Sequence, residues 1–136
     1  MGGTRSELAE IASTDEKYAL EAYEFLCHAL AHTQETLGRV PAVDPETGEQ
    51  KFRHVSGQEL VEGIRQFALA QFGMMAGVVF RLWGVRSTGD FGAMVYRLID
   101  AGLWHKSPSD RLEDFDDLYD FDQAFVRDYK LEWDEF

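Results

Sequence analysis

A chain of 136 residues has room for one domain, and a hydrophobic share of 45% excludes a wholly disordered polymer. Twenty-five acids against thirteen bases leave a net charge of −12, which repels phosphate backbones and anionic lipid heads and so argues against nucleic acid and membrane as partners. One cysteine, Cys27, excludes an internal disulfide and fits a reducing cytosol, while the uncharged apolar run 72–80 is far short of the ~20 residues of a membrane-spanning helix.

Residues 1–14 are small and polar, lead into no apolar stretch of the signal-peptide kind, and are expected to form a flexible end. From there to residue 125 the chain reads as one helical domain, followed by an acidic extension at 126–136. Tyr18, Ala19, Ala22, Leu26, Ala29, Leu30 and Thr33 recur on one helical face, predicting a first helix over 15–37 that Gly38 closes. Pro41 and the run Asp44-Pro45-Glu46-Thr47-Gly48 then form a turn, with room for a small β-hairpin between Val40-Ala42 and Lys51-Arg53.

Ser56-Gly57-Gln58-Glu59 is a capping box, in which the serine hydroxyl accepts from the Glu59 amide and the glutamate reaches back to the cap amide. Leu60, Val61, Ile64, Phe67, Ala68 and Gln71 continue it as one stripe, and Gly73 breaks it. Met75, Val78, Val79 and Leu82 form a shorter stripe that ends at Gly84. Ser87 or Thr88 caps a further helix with Asp90 in its first turn, where the helix dipole favours an acid. Phe91, Met94, Val95, Leu98 and Ile99 form its core face and Gly102 its C-terminal stop. The fold class expected is therefore mainly α, a single domain with an N-terminal helix, a winged helix-turn-helix-like unit over about 56–110, and an acidic C-terminal tail.

The tail holds two-thirds of the charge: residues 110–136 carry eleven acids and three bases, a net −8. Acids alternate with aromatics there, and Phe121, Phe125, Tyr129 and Trp133 recur every four residues. Two readings follow. The rings pack onto the body while the acids face water, or the rings anchor a partner that Asp116, Asp117 and Asp120 steer.

Other chemistry has thinner support. A winged-helix reader of nucleic acid would use the helix at 89–101 with Arg86 and Arg97, yet that helix carries a net −1 where phosphate contacts need cations. His28 and His32, four apart, have the spacing of metal ligands, but Ala29 stands where a zincin would carry glutamate and no third ligand is fixed; a polar helix flank explains them as well. Cys27 reads as an incidental thiol. No G-x-x-x-x-G-K-[ST], G-x-G-x-x-G or G-x-S-x-G pattern occurs and the tail fits no register of the calcium-loop frame, so no cofactor and no catalytic residue is implied.

The combination Arg53-His54-Val55-Ser56-Gly57, Phe72-Gly73, Trp83-Gly84-Val85, Thr88, Asp90-Phe91-Gly92, Asp114-Phe115 and Tyr119-Asp120-Phe121 resembles a small uncharacterised protein family associated with verrucomicrobia and planctomycetes, over roughly residues 18–125. The resemblance implies a bacterial cytosolic protein of about this length and brings no activity, cofactor or catalytic residue. The function expected is a non-enzymatic regulatory or adaptor module whose protein partner is basic or carries an apolar groove. A nucleic-acid-binding regulator and a metal-dependent enzyme centred on His28 and His32 are the alternatives.

Overall fold

A computed structural model describes residues 4–39, 42–43, 50–51, 55–106, 110–121 and 124–125. It is mainly helical, with α1 (Arg5–Ser13), α2 (Leu20–Thr36), α3 (Gly57–Phe72), α4 (Ala76–Leu82) and α5 (Thr88–Asp100). Two short strands, β1 (Ala42–Val43) and β2 (Gln50–Lys51), pair antiparallel ahead of α3, with Ala42 opposite Lys51 and Val43 opposite Gln50. Of the hairpin residues expected from the sequence, 40, 41, 52 and 53 lie outside the described residues. Among the described residues no strand follows α5. A 3₁₀ turn over Leu112–Phe115 comes after it instead.

The first correction concerns the N-terminus. Where a flexible end was expected, Arg5–Ser13 is a helix, capped by Thr4 in a reciprocal box with Glu7. Its Leu8 is buried, and Arg5 meets Glu24 of α2 at 2.6 Å. The second concerns the start of α2, which begins at Leu20 rather than Asp15. The Asp15 carboxylate accepts from the Lys17 amide at 2.9 Å, a local turn that competes with helix. The Ala19 amide donates to the Trp83 carbonyl at 3.1 Å, so a distant loop holds Ala19 extended, outside the helix. Gly84, at φ 88, permits this approach, since a Cβ there would stand 2.0 Å from the Lys17 carbonyl oxygen.

The helix ends follow local chemistry. α2 closes on Gly38 with the Arg39 amide donating to the Gln34 carbonyl at 2.7 Å, the 6→1 bond of a Schellman cap. α5 closes in the same way on Gly102, with Leu103 donating to Leu98 at 3.0 Å. At the start of α3, Ser56 and Glu59 form both bonds of the capping box. The Ser56 amide, then the Arg39 guanidinium, hold the Glu59 carboxyl below its ordinary range.

α2 and α3 make the closest helix pair. A Cβ on Gly63 would fall 1.8 Å from the Thr33 hydroxyl oxygen, which donates to the Ala29 carbonyl. Only glycine at 63 allows that crossing. The core around it runs from Leu26, Ala29, Val61 and Ile64 to Met94 and Leu98. A second layer is aromatic: Phe80 meets Phe25, Phe91, Phe121 and Phe125 at ring-centroid distances of 5.4, 5.4, 5.6 and 5.2 Å.

The stretch Gly57–Leu82 is, by length and composition alone, apolar enough to cross a membrane, with a mean hydropathy of 1.2 over its most apolar eighteen residues. Gly73, at φ 53, divides it into two helices joined by a 3₁₀ turn, and Leu60, Val61, Ile64, Ala76 and Phe80 within it are core residues of the folded domain.

Candidate functional site

The tail residues separate by chemistry. Phe125 is fully buried and Phe121 half-buried, their rings 5.1 Å apart edge to face and both against Phe80. As a docking anchor Phe125 is corrected: a ring that meets other rings out of water gains burial and edge-to-face contact together, which outweighs staying at the surface. Asp116, Asp117 and Asp120 remain exposed. Tyr129 and Trp133 lie outside the described residues. Two hydrogen bonds fasten this segment to the helices, from the Leu118 amide to the Thr88 hydroxyl and from the Tyr119 hydroxyl to the Val61 carbonyl, each 3.1 Å.

The aromatic packing displaces a different apolar surface outward. The stripe that the sequence shows on α4, Met75, Val78, Val79 and Leu82, is not the buried one, for α4 buries Ala76 and Phe80. Met75, Val78 and Leu82 are 56%, 45% and 78% exposed, and Met74 beside them is 60% exposed. Spacings of three and four residues put these side chains on one face. The helix, Ala-Gly-Val-Val-Phe-Arg-Leu, is apolar in nearly every direction, so its periodicity names two stripes and cannot choose between them. Phe80, the largest side chain, takes the inner face. Phe121 and Phe125 pack against that inner face, where a Cβ on Gly77 would stand 3.8 Å from the Phe125 Cβ.

Asp90 is the most elaborate polar feature. Its Oδ1 accepts from the Tyr18 hydroxyl at 2.5 Å and the Lys17 ammonium at 2.9 Å, while Oδ2 accepts from the Arg86 amide at 2.8 Å and the Ser87 amide at 3.1 Å. Burial alone would raise this carboxyl, but the bonds from Tyr18, Lys17 and the Arg86 amide outweigh it and hold the group below its ordinary range. Burial, then the bond to Asp90, pushes the Tyr18 phenol up. A carboxylate with both oxygens occupied and its charge favoured is a poor proton acceptor. It is a joint between 17–18 and the start of α5.

A second joint ties α1 to α5. The Tyr23 hydroxyl donates to Asp15 Oδ2 at 2.5 Å, and Arg97 Nε lies 3.5 Å from the same oxygen. Arg97 Nη2 donates to the Thr14 hydroxyl at 3.1 Å. As a phosphate contact Arg97 is therefore corrected, since its guanidinium is engaged within the fold. Arg86 is exposed.

His28 is exposed, and the half-buried His32 ring lies 5.2 Å from the Phe67 ring. Among the described residues no three His, Cys, Asp or Glu side chains converge as a metal site would require. Burial pushes the Cys27 thiol up to about 11, the Trp104 indole offsetting only part, so it is not the thiolate a nucleophile needs. Comparison with protein-family models, with curated proteins and with solved structures found no match to this chain.

Proposed function

We propose that this chain is a non-enzymatic regulatory or adaptor module that docks a basic, amphipathic segment of another protein onto the outer face of α4. The observation that carries the reading is the exposure of Met74, Met75, Val78 and Leu82 together on a chain whose other apolar stripes are buried. Large apolar side chains gathered on one exposed helix face mark an interaction surface more often than scattered ones do. Two of the four are methionines, whose unbranched, polarisable side chains adapt to varied partners.

Charge favours the kind of partner. The chain carries −12, and the acidic segment with exposed Asp116, Asp117 and Asp120 continues into the rings packed behind α4. Such a surface attracts cations and speeds their encounter, while apolar contact sets how long they stay. Helix-in-groove recognition, with anchors every three or four residues, is the mode that matches. The winged-helix, nucleic-acid reading has less support, because α5 buries Phe91, Met94, Val95 and Leu98 and engages Arg97 internally.

The test is a fluorescence-anisotropy titration of a labelled Lys/Leu amphipathic peptide and its Glu/Leu counterpart against the wild type, Met75→Asp and Leu82→Asp. Each aspartate adds negative charge, which strengthens plain electrostatic attraction. A roughly tenfold or greater loss of Lys/Leu binding in these variants therefore reports the apolar contact, and about tenfold corresponds to ~1.4 kcal/mol. Equal binding by wild type and variants, or equal binding of both peptides, overturns the proposal. So does adsorption to neutral lipid vesicles that Leu82→Asp abolishes while peptide binding persists.

A further inference from the structure

A cleft of about 360 Å³ lies between α2 and the end of α3, and Trp83, the residue after α4, completes it. Glu21, Glu24, Phe25 and His28 line it from α2, at the spacings of three and four residues that put side chains on one helix face. The rest of the lining is aromatic apart from Gln71. Phe67, Phe72 and Trp83 are half-buried and gather on the buried Phe25 ring, at centroid distances of 5.4, 5.6 and 5.6 Å. Phe72 and Trp83 meet edge to face, 5.7 Å apart. Rings braced against one another in this way form a fixed platform along the cleft.

No lysine or arginine is among the described residues that line this cleft. Arg5 reaches Glu24 from α1, its Nη1 2.6 Å from Glu24 Oε1, so one of the two carboxylates is already matched by a guanidinium. The Glu21 carboxylate is exposed and has no ionic or hydrogen-bond partner among the described residues. A carboxylate left over in a cleft that it shares with ring faces is complemented by a cation flat enough to stack. The cleft also adjoins the docking face along the chain. Phe72 stands two residues before Met74, and Trp83 directly follows Leu82, both of which belong to the exposed apolar set.

We infer that this cleft seats an arginine side chain of the basic segment docked on α4, which rests on that docking reading for the identity of the partner. The guanidinium stacks on the aromatic platform at Phe72 and Trp83 and donates to the Glu21 carboxylate. Its methylene stem covers apolar ring surface on the way in. Arginine fits this pairing better than lysine does. A planar fork lies flat on a ring and bonds a carboxylate in its own plane, whereas an ammonium is a compact, strongly hydrated charge. A glutamate side chain in the same place meets Glu21 and is repelled.

The probes are the Lys/Leu peptide and an Arg/Leu peptide of the same pattern, titrated by anisotropy against the full chain at fixed ionic strength. The wild type should bind Arg/Leu about fivefold more tightly than Lys/Leu. Glu21→Gln removes one exposed charge and should cut that advantage to about twofold or less. Asp100→Asn removes the same charge from an exposed residue that does not line the cleft, and should leave the advantage intact. Trp83→Leu keeps apolar bulk without a π face and should also reduce it; should that variant fail to fold, Glu21→Gln carries the comparison. In ¹H–¹⁵N spectra the Arg/Leu peptide should shift the Trp83 indole and the Gln71 carboxamide more than the Lys/Leu peptide does. Equal affinity of the two peptides for the wild type, or an arginine advantage that Glu21→Gln and Asp100→Asn change alike, would overturn the inference. The two readings fail separately. Binding that Leu82→Asp weakens while Glu21→Gln matches the wild type overturns the cleft and keeps the docking face, and the reverse pattern overturns the face and keeps the cleft.

Discussion

α4 and α5 follow one another along the chain, and both carry apolar residues at helical spacing, yet they meet the solvent in opposite ways. α5 has thirteen residues with charged Asp100 on its outward side, and it buries Phe91, Met94, Val95 and Leu98. α4 has seven residues, only Arg81 charged, and leaves Val78 and Leu82 in water. A long helix with one polar face has a single way to satisfy the hydrophobic effect. A short helix that is apolar all round has several, and its neighbours choose. Here the choice falls to Phe80, because rings from α2, α5 and the tail converge on it. The inner face of α4 thus belongs to folding, and the outer face is left for another purpose.

Breaking the inner face should cost most. Phe80→Ala removes a fully buried ring at the centre of that cluster, and we expect a loss of about 3–5 kcal/mol in urea unfolding, enough to threaten a domain of this size. Gly63→Ala comes next, at about 2–3 kcal/mol, because its Cβ collides with Thr33 and neither helix backs away freely. Adding Thr33→Ala should restore roughly half, as it removes the hydroxyl at 1.8 Å but keeps the Cβ at 2.9 Å. The two mutations should therefore be far from additive.

Asp90→Asn tests the polar joint between 17–18 and the start of α5, with an expected cost of about 1–3 kcal/mol near neutral pH. The pH dependence has a definite sign. The folded carboxyl is held below its ordinary value, so its contribution is complete above the unfolded pKa of ~3.9 and is lost as the pH falls through the folded value. The stability gap between wild type and Asp90→Asn, followed by urea titration from pH 7 to pH 3, should accordingly narrow at the acid end. A gap that stays constant over that range would show that the charge of Asp90 contributes nothing. At the small end, Leu82→Asp should change stability by no more than about 0.5 kcal/mol, since the side chain is 78% exposed. That near-neutrality sharpens the comparison, for Phe80 lies only two residues away on the other side of the same helix.

The same contrast explains what could be read from the sequence. Ser56 with Glu59, Gly38, Gly73 and Gly102 act within a few residues of themselves, and their signals give the helix boundaries and the buried face of α5. α1 was missed because Leu8 is its one fully buried apolar residue, too little to mark a stripe. The late start of α2 depends on Trp83 and Gly84, more than sixty residues away. Asp90 looks from the sequence like an ordinary acid in a first turn. Its link to Tyr18 spans seventy-two positions, which no local pattern encodes. The aromatic recurrence in the tail is a real signal, but periodicity reports that rings share a side and not whether that side meets a partner or the body. Several glycines and acids that looked unremarkable in the sequence prove to be joints: Gly57 and Gly92 seat Phe115, Gly84 admits Lys17, and Asp90 gathers its donors.

The four methionines offer the most direct test of a docking face on α4, because Met94 is 1% exposed while Met74 and Met75 are more than half exposed. With ¹³C-methyl methionine and a soluble nitroxide, the free protein should show strong relaxation of the Met74 and Met75 methyls and little at Met94. Saturation with the Lys/Leu peptide should shield Met74 and Met75 and leave Met94 unchanged. Shielding of the pair in the peptide-free protein that grows with protein concentration would assign the face to a second copy of this chain. Relaxation of Met74 and Met75 that is untouched by saturating peptide would contradict the account outright.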